Sequence, residues 1–222
     1  MNGQDILKAL YDETLVGNAP RVLELTAQGL ESGLGPDALL FEALIPSLEE
    51  VGARFERGDF FVPEMLIAGK AMAGALDVLR PLLADTGAET VGTFLMGTVR
   101  GDVHDIGKNL VNIMLEGAGF QVIDLGVQVP PEKFVAAIEE HKPDIVGFSA
   151  FLTTTMPMFK ANINALEKAG LRDQVIVMVG GAPVTQEYAD AVGADGYAAD
   201  ASTAVRRAKD LIARKRAAAV PA

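Results

Sequence analysis

The chain has no cysteine and no tryptophan, and only two histidines, His104 and His141, among 222 residues. Without cysteine, disulfides and thiolate metal sites are excluded, and the composition fits a cytoplasmic protein. Long apolar runs are missing too: none approaches the roughly 20 residues of a membrane span. The start, Met1-Asn2-Gly3-Gln4-Asp5, lacks the basic-then-apolar pattern of a signal peptide, so no membrane partner is expected. Positive charge is scarce, 19 basic against 30 acidic side chains for a net −11. Residues 1–85 carry 14 acidic and 6 basic groups, residues 86–222 carry 16 and 13. A phosphate backbone needs clustered Lys and Arg, so no nucleic-acid partner is expected. The one basic cluster, Arg206, Arg207, Lys209, Arg214, Lys215 and Arg216, reads as cations closing a final helix. What chemistry remains must use imidazole, carboxylates, hydroxyls, backbone or a bound cofactor.

Apolar spacing divides the chain in two. In the first part Ile6, Leu10 and Thr14, then Val22, Leu25, Gly29 and Leu30, step at helical intervals. Leu40, Leu44, Leu48, Val51 and Phe55 mark a third helix ending at Gly58, in which Pro46 is expected to introduce a kink. Val62, Met65, Leu66, Met72, Leu76 and Leu79 mark a fourth, with Pro63 in its first turn. Four helices with short connections predict an antiparallel bundle over residues 1–86, with 84–88 as connector. After that the period changes. Runs at 91–96, 121–125, 145–148, 175–179 and 196–199 alternate with helical patterns at 107–118, 131–141, 157–169, 185–192 and from about Ser202. Such alternation predicts an α/β domain over 87–222 with a five-stranded parallel sheet, and five strands of this kind fit, by analogy, the flavodoxin-like (Rossmann-like) order 2-1-3-4-5.

Three loops in this second part leave the carboxyl ends of predicted strands, where open α/β folds bind ligands. The first carries Asp102, His104, Asp105, Ile106 and Gly107; the second runs Ser149-Ala150-Phe151-Leu152-Thr153-Thr154-Thr155; the third holds Gly180 and Gly181. Taken singly, each has an ordinary reading. A loop histidine can be held by a neighbouring carboxylate, a Gly-Gly pair can be a plain turn, and the hydroxyls can close the helix ahead of Pro157. His141, at a helix end before Lys142-Pro143, suits the helix dipole and no functional role.

Together these residues resemble the cobalamin-binding methyl-carrier proteins, whose signature is Asp-x-His-x-x-Gly, Ser-x-Leu and Gly-Gly. Here 41 residues separate Gly107 from Ser149 and 28 separate Phe151 from Gly180, intervals shared with that family. Corrinoid proteins of methyltransferase systems, and the matching segment of cobalamin-dependent methionine synthase, look most alike. One departure is Phe151, where the signature has Leu. The resemblance implies that His104 ligates cobalt, displacing the cofactor's own base (base-off/His-on), with Asp102 accepting from its other nitrogen and Thr155 relaying. It implies that Gly107, Ser149, Phe151, Thr153, Gly180 and Gly181, with Asp105 and Ile106, line the slot for the nucleotide tail. It also implies that Phe55, Val62 and Met65 cap the upper corrin face.

The implied protein is not a catalyst alone. It is a corrinoid subunit that cycles between Co(I) and methyl-Co(III), with Co(II) as the oxidised lapse. A methyl-donor substrate methyltransferase, an acceptor methyltransferase acting on tetrahydrofolate, homocysteine or another thiol, and a reductive activase would be its partners. A cobalamin-binding sensor module or a mutase-type cobalamin subunit is the alternative. Neither a basic helix-turn-helix segment nor a catalytic barrel is evident in this length. A hydrolase based on Ser149 and His104 fits poorly, because Gly147-Phe148-Ser149-Ala150-Phe151 lacks the second glycine of a nucleophile elbow.

Overall fold

The computed structural model describes residues 2–86 and 90–219. Its chain divides into two compact units, Met1–Thr90 with Glu116–Gly119, and Val91–Leu115 with Phe120–Ala222.

The first unit is helical: α1 (Gly3–Leu15), α2 (Ala19–Glu31), a short α3 (Pro36–Ala38) leading through a π-helical segment (Leu39–Leu44) into α4 (Ile45–Arg57), and α5 (Val62–Thr86). A capping box starts α1, with the Asn2 side chain accepting from the Asp5 N–H and the Asp5 carboxylate accepting from Asn2 N–H. Gly58, at φ +79°, closes α4 in the left-handed conformation that glycine adopts without strain. The apolar steps named above face inward: Ile6, Leu10, Leu25, Leu44, Val51, Met65, Met72 and Leu79 are buried. α1 packs on α2, α2 on α5, and α4 on both α1 and α5.

At Pro46 the regular α-helical hydrogen-bond pattern is interrupted. Proline lacks the N–H that would bond one turn back, and its ring crowds the carbonyl four residues earlier. The chain answers with a wide turn before it, in which Ile45 N–H reaches Leu40 O, and α-helical geometry resumes with Pro46 in the first turn. The connector expected at 84–88 is also shifted. α5 runs on to Thr86, with Pro81 inside it, and residues 87 and 88 lie outside the described residues.

The second unit alternates β1 (Gly92–Thr98), α6 (Ile106–Gly117), β2 (Phe120–Asp124), α7 (Pro131–His141), β3 (Ile145–Ser149), α8 (Pro157–Lys168), β4 (Ile176–Gly180), α9 (Gln186–Val192), β5 (Gly196–Ala198) and α10 (Ala201–Ala219). Every pairing is parallel, as the alternation predicted, and the order is β2-β1-β3-β4-β5, the flavodoxin-like order expected by analogy. Central strands covered on both faces read as unbroken apolar runs, and Leu95, Val146, Phe148, Val177 and Val179 pack against Phe134, Ile138, Phe159, Ile163 and Leu166 of α7 and α8. Burying each such side chain contributes roughly 1.5–3 kcal/mol. Phe134 meets Phe148 edge to face, centroids 4.7 Å apart.

Register is what positions the site. Thr98 lies level with Ser149, Ser149 with Gly180, and Gly180 with Ala198. β1, β3 and β4 therefore stop on one line, and their outgoing loops leave side by side.

Candidate functional site

β1 ends in a tight turn. Asp102 N–H donates to Val99 O at 3.1 Å, Gly101 takes φ +83°, and the Thr98 hydroxyl ties the loop back by donating to His104 O at 3.1 Å. This turn drives the Asp102 side chain inward, where it is fully buried, and leaves the His104 side chain 43% exposed.

Each oxygen of Asp102 serves a different loop. Oδ1 accepts from His104 N–H at 3.1 Å and faces His104 Nδ1 at 2.7 Å. Oδ2 accepts from Phe151 N–H at 2.8 Å, Leu152 N–H at 3.2 Å and the Thr155 hydroxyl at 2.7 Å. The Thr155 hydroxyl also lies 2.8 Å from Leu152 O, but it has one proton, and an ionised carboxylate is the stronger acceptor. Burial alone would raise the pKa of Asp102. Hydrogen bonds from Thr155, from the His104 backbone and ring, and from Phe151 outweigh it and hold the carboxyl well below its ordinary value. An anionic Asp102 can only accept, so hydrogen-bond logic assigns the proton of a neutral His104 ring to Nδ1 and leaves a lone pair on Nε2. Among the described residues nothing hydrogen-bonds Nε2.

The other expected residues fall around this centre. Ser149 ends β3, half-buried, its carbonyl accepting from Val99 N–H at 3.0 Å. Thr153 is exposed in the turn before α8. Thr155 is buried and turned toward Asp102, so no side-chain cap closes α8. Gly180 carries the Ala150 N–H on its carbonyl at 3.2 Å. Gly181 stands at φ +130°, and a Cβ there would come within 1.9 Å of Ala150 O, so only glycine lets the second and third loops approach this closely. Asp105 precedes α6 and accepts from the Asn109 side chain at 3.2 Å, while Ile106 is exposed. A Cβ on Gly107 would meet no protein atom within 4 Å, which leaves open space beside the His104 loop.

Phe151 does more than fill the place of a Leu. Its ring stacks on the His104 imidazole, centroids 4.4 Å apart and planes 26° apart. Val103, Ile106 and Leu152, also exposed, complete an apolar rim flanking the histidine.

Phe55, Val62 and Met65 belong to the helical unit, at the end of α4 and the start of α5. Phe55 and Val62 are half-buried, and Met65 is fully buried. The exposed apolar side chains of this stretch are Phe61, Leu66 and Ile67.

Two contributors escaped the sequence reading. Thr98 lies two residues past the apolar run at 91–96, and only the structure reveals its place beside Ser149 and its tie to the histidine loop. Lys108 is 1% exposed and its Nζ bonds Asp124 of β2 and, at 2.7 Å, Asn109. The signal for it was present: Lys108, Asn112 and Leu115 share the buried side of α6 at helical spacing.

What could this centre hold? Among the described residues no three His, Asp or Glu side chains gather as a metal cage. One imidazole nitrogen, oriented by a buried carboxylate, suits a metal that brings its other ligands with it. Exposed apolar side chains on the two loops beside the imidazole suit a large, partly apolar carrier of that metal. The residues present fit a corrinoid.

Comparison with known proteins agrees. B12-binding domain families match residues 6–80 and 92–206. The dimethylamine corrinoid protein of Methanosarcina barkeri is 41% identical over 214 residues, 96% of this chain and the whole of that one. The trimethylamine corrinoid protein of the same organism is 43% identical over 188 residues, 84% of this chain and 87% of that one. Among solved structures, a chain of the methanol:cobalamin methyltransferase complex of Methanosarcina barkeri superposes with a TM-score of 0.83 at 30% identity, covering 94% of this chain and 80% of that one. Fold, site chemistry and relatives converge: the chain belongs to the B12-binding corrinoid proteins of methyltransferase systems, and its cofactor is cobalamin.

Proposed function

We propose that this protein is the methyl carrier of a methylamine-type methyltransferase system, holding cobalamin base-off with His104 as the lower axial ligand. The observation that carries the reading is the state of His104: one ring nitrogen fixed by a buried anion, the other free on a half-exposed ring. The corrinoid supplies the cobalt centre that accepts a methyl group from one partner and yields it to another.

The chain's own residues do the rest. His104 offers the Nε2 lone pair, and Asp102 holds Nδ1–H so that the offered tautomer and direction stay constant. Thr155, donating to the far oxygen of Asp102, keeps that carboxylate ionised. Gly107, Ser149, Thr153, Gly180 and Gly181, with Asp105 and Ile106, would line the slot for the displaced nucleotide tail; the close approach of the second and third loops at Gly181 supports this. The helical unit, residues 1–86, would act as a cap, with Phe55 and Val62 shielding the upper face; Met65, expected to shield with them, is fully buried and would serve the bundle core. The sheet unit, 87–222, would act as the cradle.

Support for the partners comes from the relatives. Dimethylamine and trimethylamine corrinoid proteins match nearly the full chain, and the methanol:cobalamin structure contains a chain of this fold. A substrate methyltransferase loads the carrier, a second enzyme passes the methyl to a thiol such as homocysteine or to tetrahydrofolate, and a reductive activase restores carriers whose cobalt has been oxidised.

Absorption spectra test the reading. The apoprotein mixed with hydroxocobalamin and desalted is expected to give a stoichiometric red complex whose ligation bands change in His104→Ala. A folded wild-type protein that stays colourless overturns the carrier reading. An unchanged spectrum in His104→Ala overturns the axial assignment.

A further inference from the structure

His104 is held by one hydrogen bond to its ring, Nδ1 to Asp102 Oδ1 at 2.7 Å. A single hydrogen bond tolerates a range of angles, so by itself it restrains the two side-chain torsions of the ring only loosely. A swinging imidazole sweeps Nε2 along an arc, which is costly for a ligand that must meet a metal on one line. The second restraint on this ring is Phe151, stacked at 4.4 Å with planes 26° apart.

The placement of Phe151 is itself built. Its N–H donates to Asp102 Oδ2 at 2.8 Å, on the carboxylate whose other oxygen faces the His104 ring. One buried carboxylate thus positions the imidazole through Oδ1 and, through Oδ2, the backbone of the residue whose ring covers the imidazole face. A leucine here could keep the backbone bond but presents no flat face to a ring.

The geometry points to Phe151 as a positioning residue that sets the plane of the His104 imidazole and so the fraction of bound corrinoid that carries histidine ligation. This rests on the axial-ligand reading of His104 and adds a second determinant beside Asp102. Phe151 acts through His104 and is not itself a ligand.

The test compares wild type, Phe151→Leu and Phe151→Tyr. Half of the Phe151 side-chain surface is exposed, 51%, so neither variant opens a core cavity. In the apoprotein, proton NMR is expected to show His104 ring resonances shifted upfield by the stacked ring in wild type and Phe151→Tyr, and not in Phe151→Leu. On titration with hydroxocobalamin, Phe151→Leu is expected to bind roughly 3- to 10-fold more weakly, the range an aromatic pair contributes. Its complex should show a mixture of histidine-ligated and unligated bands, with Phe151→Tyr restoring the wild-type spectrum. Equal affinity and equal ligation bands in Phe151→Leu overturn this inference alone. Wild-type protein that takes up no corrinoid overturns the axial-ligand reading and this inference with it.

Discussion

The sheet-edge loops and the junction of α4 with α5 are both regions to which the sequence points, and they differ in kind. At the sheet edge, polar residues at fixed intervals converge on one carboxylate, and Asp102 is reached from partners 49, 50 and 53 residues away. At the helix junction, Phe55, Val62 and Met65 were singled out among residues that also fall on helical periods, and the structure finds one of them, Met65, wholly buried. A polar residue with its partner far off in sequence has few reasons to be where it is. An apolar residue on a helical period already has one, the core.

The largest expected effect falls on the polar side of this comparison. Asp102→Ala strands three backbone N–H groups, those of His104, Phe151 and Leu152, and is expected to cost roughly 3–9 kcal/mol at about 1–3 kcal/mol per stranded donor. Urea unfolding of the apoprotein measures it; a loss below about 1 kcal/mol would mean the loops hold together without the carboxylate.

Next comes the helical side. Met65→Ala should destabilise the apoprotein by about 2–4 kcal/mol, as buried methionine truncations do. Phe55→Ala, at a half-buried position, should cost less and instead accelerate photolysis of bound methylcobalamin. If Met65→Ala speeds photolysis while Phe55→Ala does not, the assignment of shielding and packing roles is reversed.

The smallest effect is in pH. Asp102 is held below its ordinary pKa of 3.8 in the folded state, so the unfolded chain binds its proton first as pH falls. Its contribution is complete above about pH 5 and is lost progressively below about pH 4, by at most about 1.4 kcal/mol per pH unit. Apoprotein melting followed between about pH 5 and 2 should steepen below 4 in wild type, and less so in Asp102→Asn. Parallel profiles would show that other carboxylates govern acid unfolding.

Much of the fold was legible because its elements are local. The five parallel strands followed from apolar runs alternating with helical periods, since a parallel pair needs a crossover between its strands, while their order came by analogy with flavodoxin-like sheets. Boundaries slipped where local chemistry is silent. β1 runs two residues past its apolar stretch because Gly97 and Thr98 pair with Phe148 and Ser149. Pro46 was expected to bend a helix, and a π-helical segment lies directly ahead of it, which no apolar spacing announced.

By itself the sequence determined which chemistry was available and where on the fold it would sit. One loop histidine, an aspartate two residues before it, and glycines and hydroxyls past two further strand ends are covalent facts, and parallel strands send all three loops to one edge. Tertiary structure alone decided how those groups engage. Thr155 turns to Asp102 and away from the cap of α8, Gly181 admits the Ala150 carbonyl, Lys108 is sealed against Asp124, and Phe151 lies flat on His104. Each of these depends on the register of strands distant in the chain. Spacing along a sequence specifies which residues leave a sheet together, but only packed coordinates specify which atoms meet.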